Sequence, residues 1–311
     1  MQPSKLACDA LLTARDALFT ARKALPLTIV AAAIACAPAS TGQAPTNTSE
    51  ITLASCTTSI ASDAPAFYRN YFKCVTVTQS GTTTQITSNG LPPHKSYYYG
   101  SGNPNYADFD TSRGSQYKGN PNKIAMQTLK FSIPVSPTSR GLTITSNMVD
   151  KTANTNSNEY SLGAAGIAAD GVAIFNDQAG PGDSIENEKY TFDSYNGHPE
   201  QRGAYHYHTD TPGPLEALKA LGLVTKTTPG EAEIEFYGIM CDGTAVLGCT
   251  ELDGTTPDGS GFDAQNGHTH DLKDKSGTVL VSGRYHTHVC TSKFTGHKFT
   301  PEIQFYSTCT K

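Results

Sequence analysis

From residue 51 to about residue 149, apolar and polar side chains alternate with a period of two. Val75, Val77 and Gln79 share one face, as do Leu129, Phe131 and Ile133, and Leu142 with Ile144. That period marks half-buried strands. Residues 89–122 interrupt it with a loop dense in Gly, Pro, Asn and Tyr, long enough to imply a functional or mobile segment. Further on, residues 171–175 read as a buried strand and 189–193 as a short one. Strands are also expected at 232–239, 278–281 and 285–289, with a last pair within 298–307. Only residues 214–224 read as a helix: Pro214 suits a first turn, and Leu215, Leu218 and Leu221 form an apolar stripe. The chain is therefore expected to be mainly β, a single sandwich-like β-rich domain with one short helix.

That helix separates two copies of one pattern. Gly166-Ile167-x-x-Asp170-Gly171-x-Ala173-Ile174 is echoed by Gly238-Ile239-x-x-Asp242-Gly243-x-Ala245-Val246. Phe192-Asp193-x-x-Asn196-Gly197-His198 is echoed by Phe262-Asp263-x-x-Asn266-Gly267-His268, which continues to His270. Gly203-x-Tyr205-His206-x-His208 is echoed by Gly283-x-Tyr285-His286-x-His288. The offset is 72, then 70, then 80, so only loops changed length. The internal repeats span about 163–210 and 234–289, inside a domain expected over 51–311. Seven of the nine histidines fall in the repeats; His94 and His297 lie outside, and His297 reads as a surface residue.

The imidazoles suggest a metal ion. Histidines at i and i+2 of a strand share a face, about 7 Å apart at Cα. Such rings can converge on one ion at about 2.0–2.1 Å per nitrogen, with a third ligand aimed back by the Asn-Gly turn. The candidate ligands are His198, His206, His208, His268, His270, His286 and His288. Asp193 and Asp263, five residues before each turn histidine, are expected to orient ligand rings from behind, with turn formation as the rival role. Tyr205, Tyr207 and Tyr285 point to the opposite face and are expected in the core. Each unit could hold its own ion, or a pseudo-twofold could bring all seven rings to one cleft; the shared cleft is the favoured arrangement. Imidazole donors suit Cu(II) or Zn(II), copper first by the Irving–Williams order.

Composition narrows the partners. Lys and Arg number 23 against 28 Asp and Glu, so no basic stripe points to nucleic acid. Arg22 and Lys23 precede an apolar run at 24–35 that is too short to anchor in a bilayer, the pattern of an export signal over 1–36. The run ends Ala33-Ile34-Ala35-Cys36, similar to a lipobox, which makes Cys36 a candidate lipidation site, followed by a flexible tether over 37–50. The protein is thus expected outside the cytoplasm, as a cell-envelope lipoprotein or a secreted or periplasmic protein, with no transmembrane span. Apart from Cys8 and Cys36, six cysteines remain: Cys56, Cys74, Cys241, Cys249, Cys290 and Cys309. In an exported chain they imply disulfides, and pairing of sequence neighbours (Cys56–Cys74, Cys241–Cys249, Cys290–Cys309) is the expectation.

At Tyr205-His206-Tyr207-His208 the chain resembles the YHYH-domain family of exported bacterial and algal proteins. The resemblance extends to Ser88-Asn89-Gly90-Leu91-Pro92-Pro93-His94, to Gly119-Asn120-Pro121-Asn122-Lys123-Ile124, to Gly166 through Asn176 and to both Asn-Gly-His steps, covering roughly residues 86–290. It makes His94 an additional candidate ligand. In the second unit Thr287 replaces the second tyrosine, on the face away from the histidines. The resemblance implies a metal-site architecture and no particular reaction. Three readings follow: a metal-binding protein that scavenges or buffers; a metalloenzyme, hydrolytic or copper-oxidative, with Asp210 or Asp271 near an open coordination position; or a surface-interaction module with structural histidines. Whether the chain is an enzyme stays open at this level.

Overall fold

The structure is a computed structural model that describes residues 49–149, 157–180 and 183–311. The expected signal, Cys36 and all but the last two residues of the tether lie outside the described residues. The chain is mainly β, with 25% strand and 10% helix. β1 (Ser59–Ile60), β2 (Thr76–Ser80), β3 (Thr83–Ser88) and β4 (Leu129–Pro134) form one sheet in that order. Its alternation buries Val77, Ile86, Phe131 and Ile133, as the period of two requires. The short helix α1 (Ala66–Tyr71) adds Phe67 to this core, edge-on to Phe236 with ring centroids 5.1 Å apart.

The second sheet carries the duplication. Its strands are β5 (Gly166–Ala168), β6 (Ala173–Ile174), β7 (Gly197–Pro199), β8 (Tyr205–Tyr207), β9 (Phe236–Met240), β10 (Ala245–Leu247), β11 (Gly267–Lys273) and β12 (Val279–His288). The order is β11-β12-β10-β9-β5-β6-β8-β7. Each unit thus runs β5-β6-β8-β7 or β9-β10-β12-β11, with the second pair of neighbours parallel in both. The units join where β5 meets β9 antiparallel: Ile167 faces Ile239, its own counterpart, and Gly166 and Ala168 face Met240 and Gly238. This register is self-complementary, so a pseudo-twofold runs through the sheet at Ile167/Ile239 and places the two histidine hairpins at opposite ends of the sheet.

Between the units lies α3 (Pro212–Ala220), two residues earlier than the leucine stripe alone predicts. Thr211 sets the start, its side chain accepting from the Gly213 N–H at 3.3 Å, with Pro212 at the first helical position. Leu215 and Leu218 are fully buried, each worth about 1.5–3 kcal/mol of apolar burial.

Four local expectations are corrected. Residues 189–193 are not a strand: Ser184 caps the turn of helix α2 (Ile185–Glu188), which continues as a 3-10 turn over Lys189–Thr191. Leu142 and Ile144 lie in irregular chain, where Ile144 packs beside Tyr285, Ile303 and Tyr306. Residues 298–307 make isolated bridges, Thr209 with Phe299 and Glu159 with Ile303, and no strand pair. His297 is buried, its Nε2 3.2 Å from the Thr300 carbonyl and 3.5 Å from Asp177 Oδ2.

The disulfides are Cys56–Cys74, Cys241–Cys309 and Cys249–Cys290. The first matches the neighbour expectation and the other two overturn it. For Cys249–Cys290 the reason is register: Leu247 pairs with His288 across parallel β10 and β12, and the two cysteines each lie two residues beyond that pair. Adjacent parallel strands bring distant cysteines level, which loop length in sequence cannot show. Among the described residues, no helix is long and apolar enough to cross a membrane.

A non-reducing peptide map should yield linked peptides containing Cys249 with Cys290 and Cys241 with Cys309. The double substitution Cys249→Ala/Cys290→Ala should lower unfolding free energy by roughly 2–5 kcal/mol in urea titrations. A Cys241–Cys249 linked peptide would refute the register argument.

Candidate metal centre

Each histidine hairpin begins with the same turn. The Asp193 N–H donates to the Gly197 carbonyl at 2.8 Å and the Asn196 N–H to the Asp193 carbonyl at 2.9 Å. The Asp193 carboxylate accepts from the Tyr195 and Gly197 N–H groups at 2.9 and 3.3 Å. The second unit repeats this: Asp263 to Gly267 at 2.9 Å, Asn266 to Asp263 at 3.1 Å, and the Asp263 carboxylate accepting from Gln265 and Gly267 at 3.0 and 2.8 Å. Asn196 and Asn266 hold left-handed φ of 54° and 55°, which Asn tolerates better than most residues. The following glycines serve a different need. A Cβ at Gly197 would lie 2.5 Å from the Tyr205 hydroxyl, and one at Gly267 would lie 1.9 Å from that of Tyr285.

Those tyrosines explain the aspartates. Tyr205 and Tyr285 are buried and donate to Asp193 and Asp263 at 2.8 and 2.6 Å. The aspartates therefore hold turn and tyrosine, and no hydrogen bond links either to a histidine ring. Their expected role behind the imidazoles is corrected: backbone carbonyls do most of that work. The loop over 89–122 braces the first turn, with Ser96 donating to Asp193 at 2.5 Å and Arg113 to the Phe192 carbonyl and Asn196 Oδ1 at 2.7 and 2.9 Å.

In the first unit His198 and His206 stand opposite each other on β7 and β8, and His208 follows on the same face. Their ring nitrogens meet within 4.8 Å of one another. His206 Nδ1 is 2.8 Å from the Ala204 carbonyl and His208 Nδ1 is 2.5 Å from the Asn176 carbonyl. Carbonyls only accept, so both Nδ1 atoms carry the proton. His198 Nδ1 lies 2.6 Å from the Thr191 hydroxyl, whose own hydrogen goes to the Glu188 carbonyl at 2.8 Å, so this Nδ1 donates too. Three Nε2 lone pairs then face one another. His206 Nε2 and His208 Nε2 are 2.9 Å apart, and His198 Nε2 is buried with no hydrogen-bond partner.

Protonation is a poor remedy there. Burial holds the rings of His198 and His206 well below the usual imidazole range and lowers His208 from 6.5 to about 4. Phe175 stacks on His206 at 3.6 Å and Phe192 lies over His208 at 5.6 Å. Converging neutral lone pairs in an apolar frame fit a cation, and His198, His206 and His208 would hold it.

The second unit keeps this frame and adds to it. His268 faces His286 on β11 and β12. His286 Nδ1 is 3.0 Å from the Arg284 carbonyl and His288 Nδ1 is 2.8 Å from that of Gly248, the counterparts of Ala204 and Asn176. Phe262 covers His288 at 5.1 Å as Phe192 covers His208. His270 joins them where the first unit has Glu200, because the longer hairpin keeps it in the ladder opposite Arg284. Glu251 Oε1 lies 3.1 Å from His268 Nε2, 3.2 Å from His270 Nε2 and 3.1 Å from His288 Nε2, while its Oε2 lies 3.2 Å from His286 Nε2. Burial alone would raise the Glu251 carboxyl, yet the imidazoles of His268, His286 and His288 around it hold it well below the usual range. Burial lowers His286 from 6.5 to about 4 even beside that carboxylate. A neutral imidazole that donates from Nδ1 and aims its Nε2 lone pair at an ionised carboxylate fits a cation between them.

Two separate groups therefore form, and the favoured shared cleft is corrected. The ring nitrogens gather as His198, His206 and His208 in one group and as His268, His270 and His286 with Glu251 in another. The end segment nevertheless ties the ends together: the Thr300 N–H donates to the His208 carbonyl at 2.7 Å, and Asn266 Nδ2 donates to the His297 carbonyl at 2.7 Å.

His94 joins neither group. It stacks on Tyr195 at 3.6 Å and its Nε2 is 3.0 Å from the Tyr207 hydroxyl, so its candidacy as a ligand is corrected. Asp210 accepts from Thr291 at 2.6 Å, and Asp271 holds Ser282 and the Gly283 N–H at 2.8 Å each, so neither supplies the carboxylate of a metal site. Glu251 and Glu188 were missed. Counterparts differ at those positions: Ala179 stands where Glu251 would map, so the repeat carries no signal for it.

Comparison with known proteins agrees with this frame. Residues 130–257 match the YHYH protein family. The matched segment holds the whole first histidine unit and the second as far as residue 257, before its four histidines. No curated protein matches the chain, and no solved structure does.

Gly197→Ala and Gly267→Ala should each lower the unfolding free energy of metal-free protein by about 1–3 kcal/mol in urea, because the new methyl overpacks a tyrosine. Unchanged midpoints in both would remove the steric reading of these glycines.

Proposed function

We propose that this protein is an exported transition-metal binder holding one ion at each histidine centre, with scavenging or buffering as its role. The observation that carries the reading is the tautomer pattern: at the first centre every Nδ1 donates to an oxygen acceptor, leaving three buried Nε2 lone pairs with a cation as their natural partner. Imidazole-dominated donors suit Cu(II) or Zn(II), and the Irving–Williams order favours copper where both are present. A purely structural histidine network fits less well, since lone pairs 2.9 Å apart without a shared proton repel.

Three disulfides and the N-terminal charge-apolar pattern support export, and Cys36 supports a lipid anchor at the cell envelope. With 23 Lys and Arg against 28 Asp and Glu, the sequence offers no basic stripe to support a nucleic-acid partner.

Elemental analysis of protein purified without a histidine tag should find two metal equivalents per chain. His206→Ala and His286→Ala should each lose one, and Tyr207→Phe none. Full metal content in both histidine variants would sink the assignment.

The buried rings also set the acid response. A free imidazole protonates near pH 6.5, but His208 and His286 protonate only near 4, so protons compete less well with the ion. Metal should stay bound on dialysis at pH 5.5 and leave as pH falls through about 4. Release already complete at pH 6 would contradict this.

A further inference from the structure

The duplicated centres have diverged in donor count. Among the described residues the second gathers three imidazoles, His268, His270 and His286, and the Glu251 carboxylate into one group, enough to fill a four-coordinate shell with protein atoms, and His288 Nε2 stands beside it 3.1 Å from Glu251 Oε1. Among the described residues the first gathers three imidazoles. Glu188 has Oε1 3.8 Å from His198 Nε2 and stands outside the group. Its counterpart of His270, Glu200, accepts from the Ala204 N–H at 3.3 Å and lines the cleft without joining the group.

The first centre also has access. A cleft of about 880 Å³ reaches it, lined by His206, His208, Phe175, Thr191 and Glu188. The best-formed clefts of the described residues do not include His268, His270, His286 or His288 in their lining, although the His270 side chain is 41% exposed at the rim.

Resting on the metal-binding reading, we infer that the first centre is the ligand-exchanging one. It takes an external oxygen or nitrogen donor from the cleft, water in the resting protein, at the position that Glu251 and His270 fill in the second centre. The second centre is coordinatively filled and serves to lock the β11–β12 hairpin. Three imidazoles with one exchangeable position is the arrangement that polarises a bound small molecule, whereas a filled shell holds its ion inertly.

Cobalt(II) loaded into the full chain reports coordination through its visible absorption, and azide serves as the external donor. With two cobalt ions bound, azide should shift the spectrum saturably with one azide per chain. His286→Ala should keep that response, and His206→Ala should weaken it at least tenfold or abolish it. If His206→Ala does not fold, the wild-type stoichiometry decides alone: no response, or two azides per chain, overturns the inference. A response lost in His286→Ala and kept in His206→Ala overturns it as well. So does one that emerges only in Glu188→Gln, since Glu188 would then be closing the first centre. Failure to take up two cobalt ions would instead defeat the metal-binding reading itself.

Discussion

The arrangement depends on where the histidine protons go. A backbone carbonyl can only accept, so each ring whose Nδ1 meets one is held as the Nδ1–H tautomer, with its Nε2 lone pair aimed inward. Ala204 and Asn176 do this in the first unit, and Arg284 and Gly248 do it at the matching places in the second. These acceptors belong to strand backbone and strand ends, so any sequence that keeps the ladder keeps the tautomer. The aspartates are then free for another task. They close the turn and hold the tyrosine hydroxyls, which sets how far the turn histidine leans over the strand.

Duplication and symmetry follow from the same economy. One hairpin with one turn chemistry was used twice, and the self-complementary meeting of Ile167 with Ile239 joined the copies into a continuous sheet. A twofold of this kind separates equivalent sites instead of merging them, which allows one centre to change without disturbing the other. The ten-residue lengthening of the second hairpin keeps His270 in register, while the irregular segment just after β10 delivers Glu251 with the Cys249–Cys290 disulfide beside it. The first hairpin turns back at once, and its Glu200 is spent on its own turn.

Much of this was legible in the residues. Alternation located β2, β4 and the histidine strands. The tyrosines of the histidine strands fall on the far face because strand side chains alternate. The leucine stripe placed the start of α3 within two residues and its end four residues late, and Thr211 supplied the cap that a stripe does not reveal. The short apolar signal at 189–193 misled, since a Ser cap and acidic first turn outweighed it.

By itself, then, the sequence determined the repeat, the turn chemistry and the face on which the imidazoles stand, because these are local: a period of two, an Asn that tolerates left-handed φ, a glycine beneath a tyrosine. Tertiary structure alone decided how the copies meet, which cysteines pair, and whether Glu251, Glu188 and His94 reach a ring. Those outcomes depend on strand order and parallel register across the sheet, and residues far apart in the chain become level only once the ladders have formed.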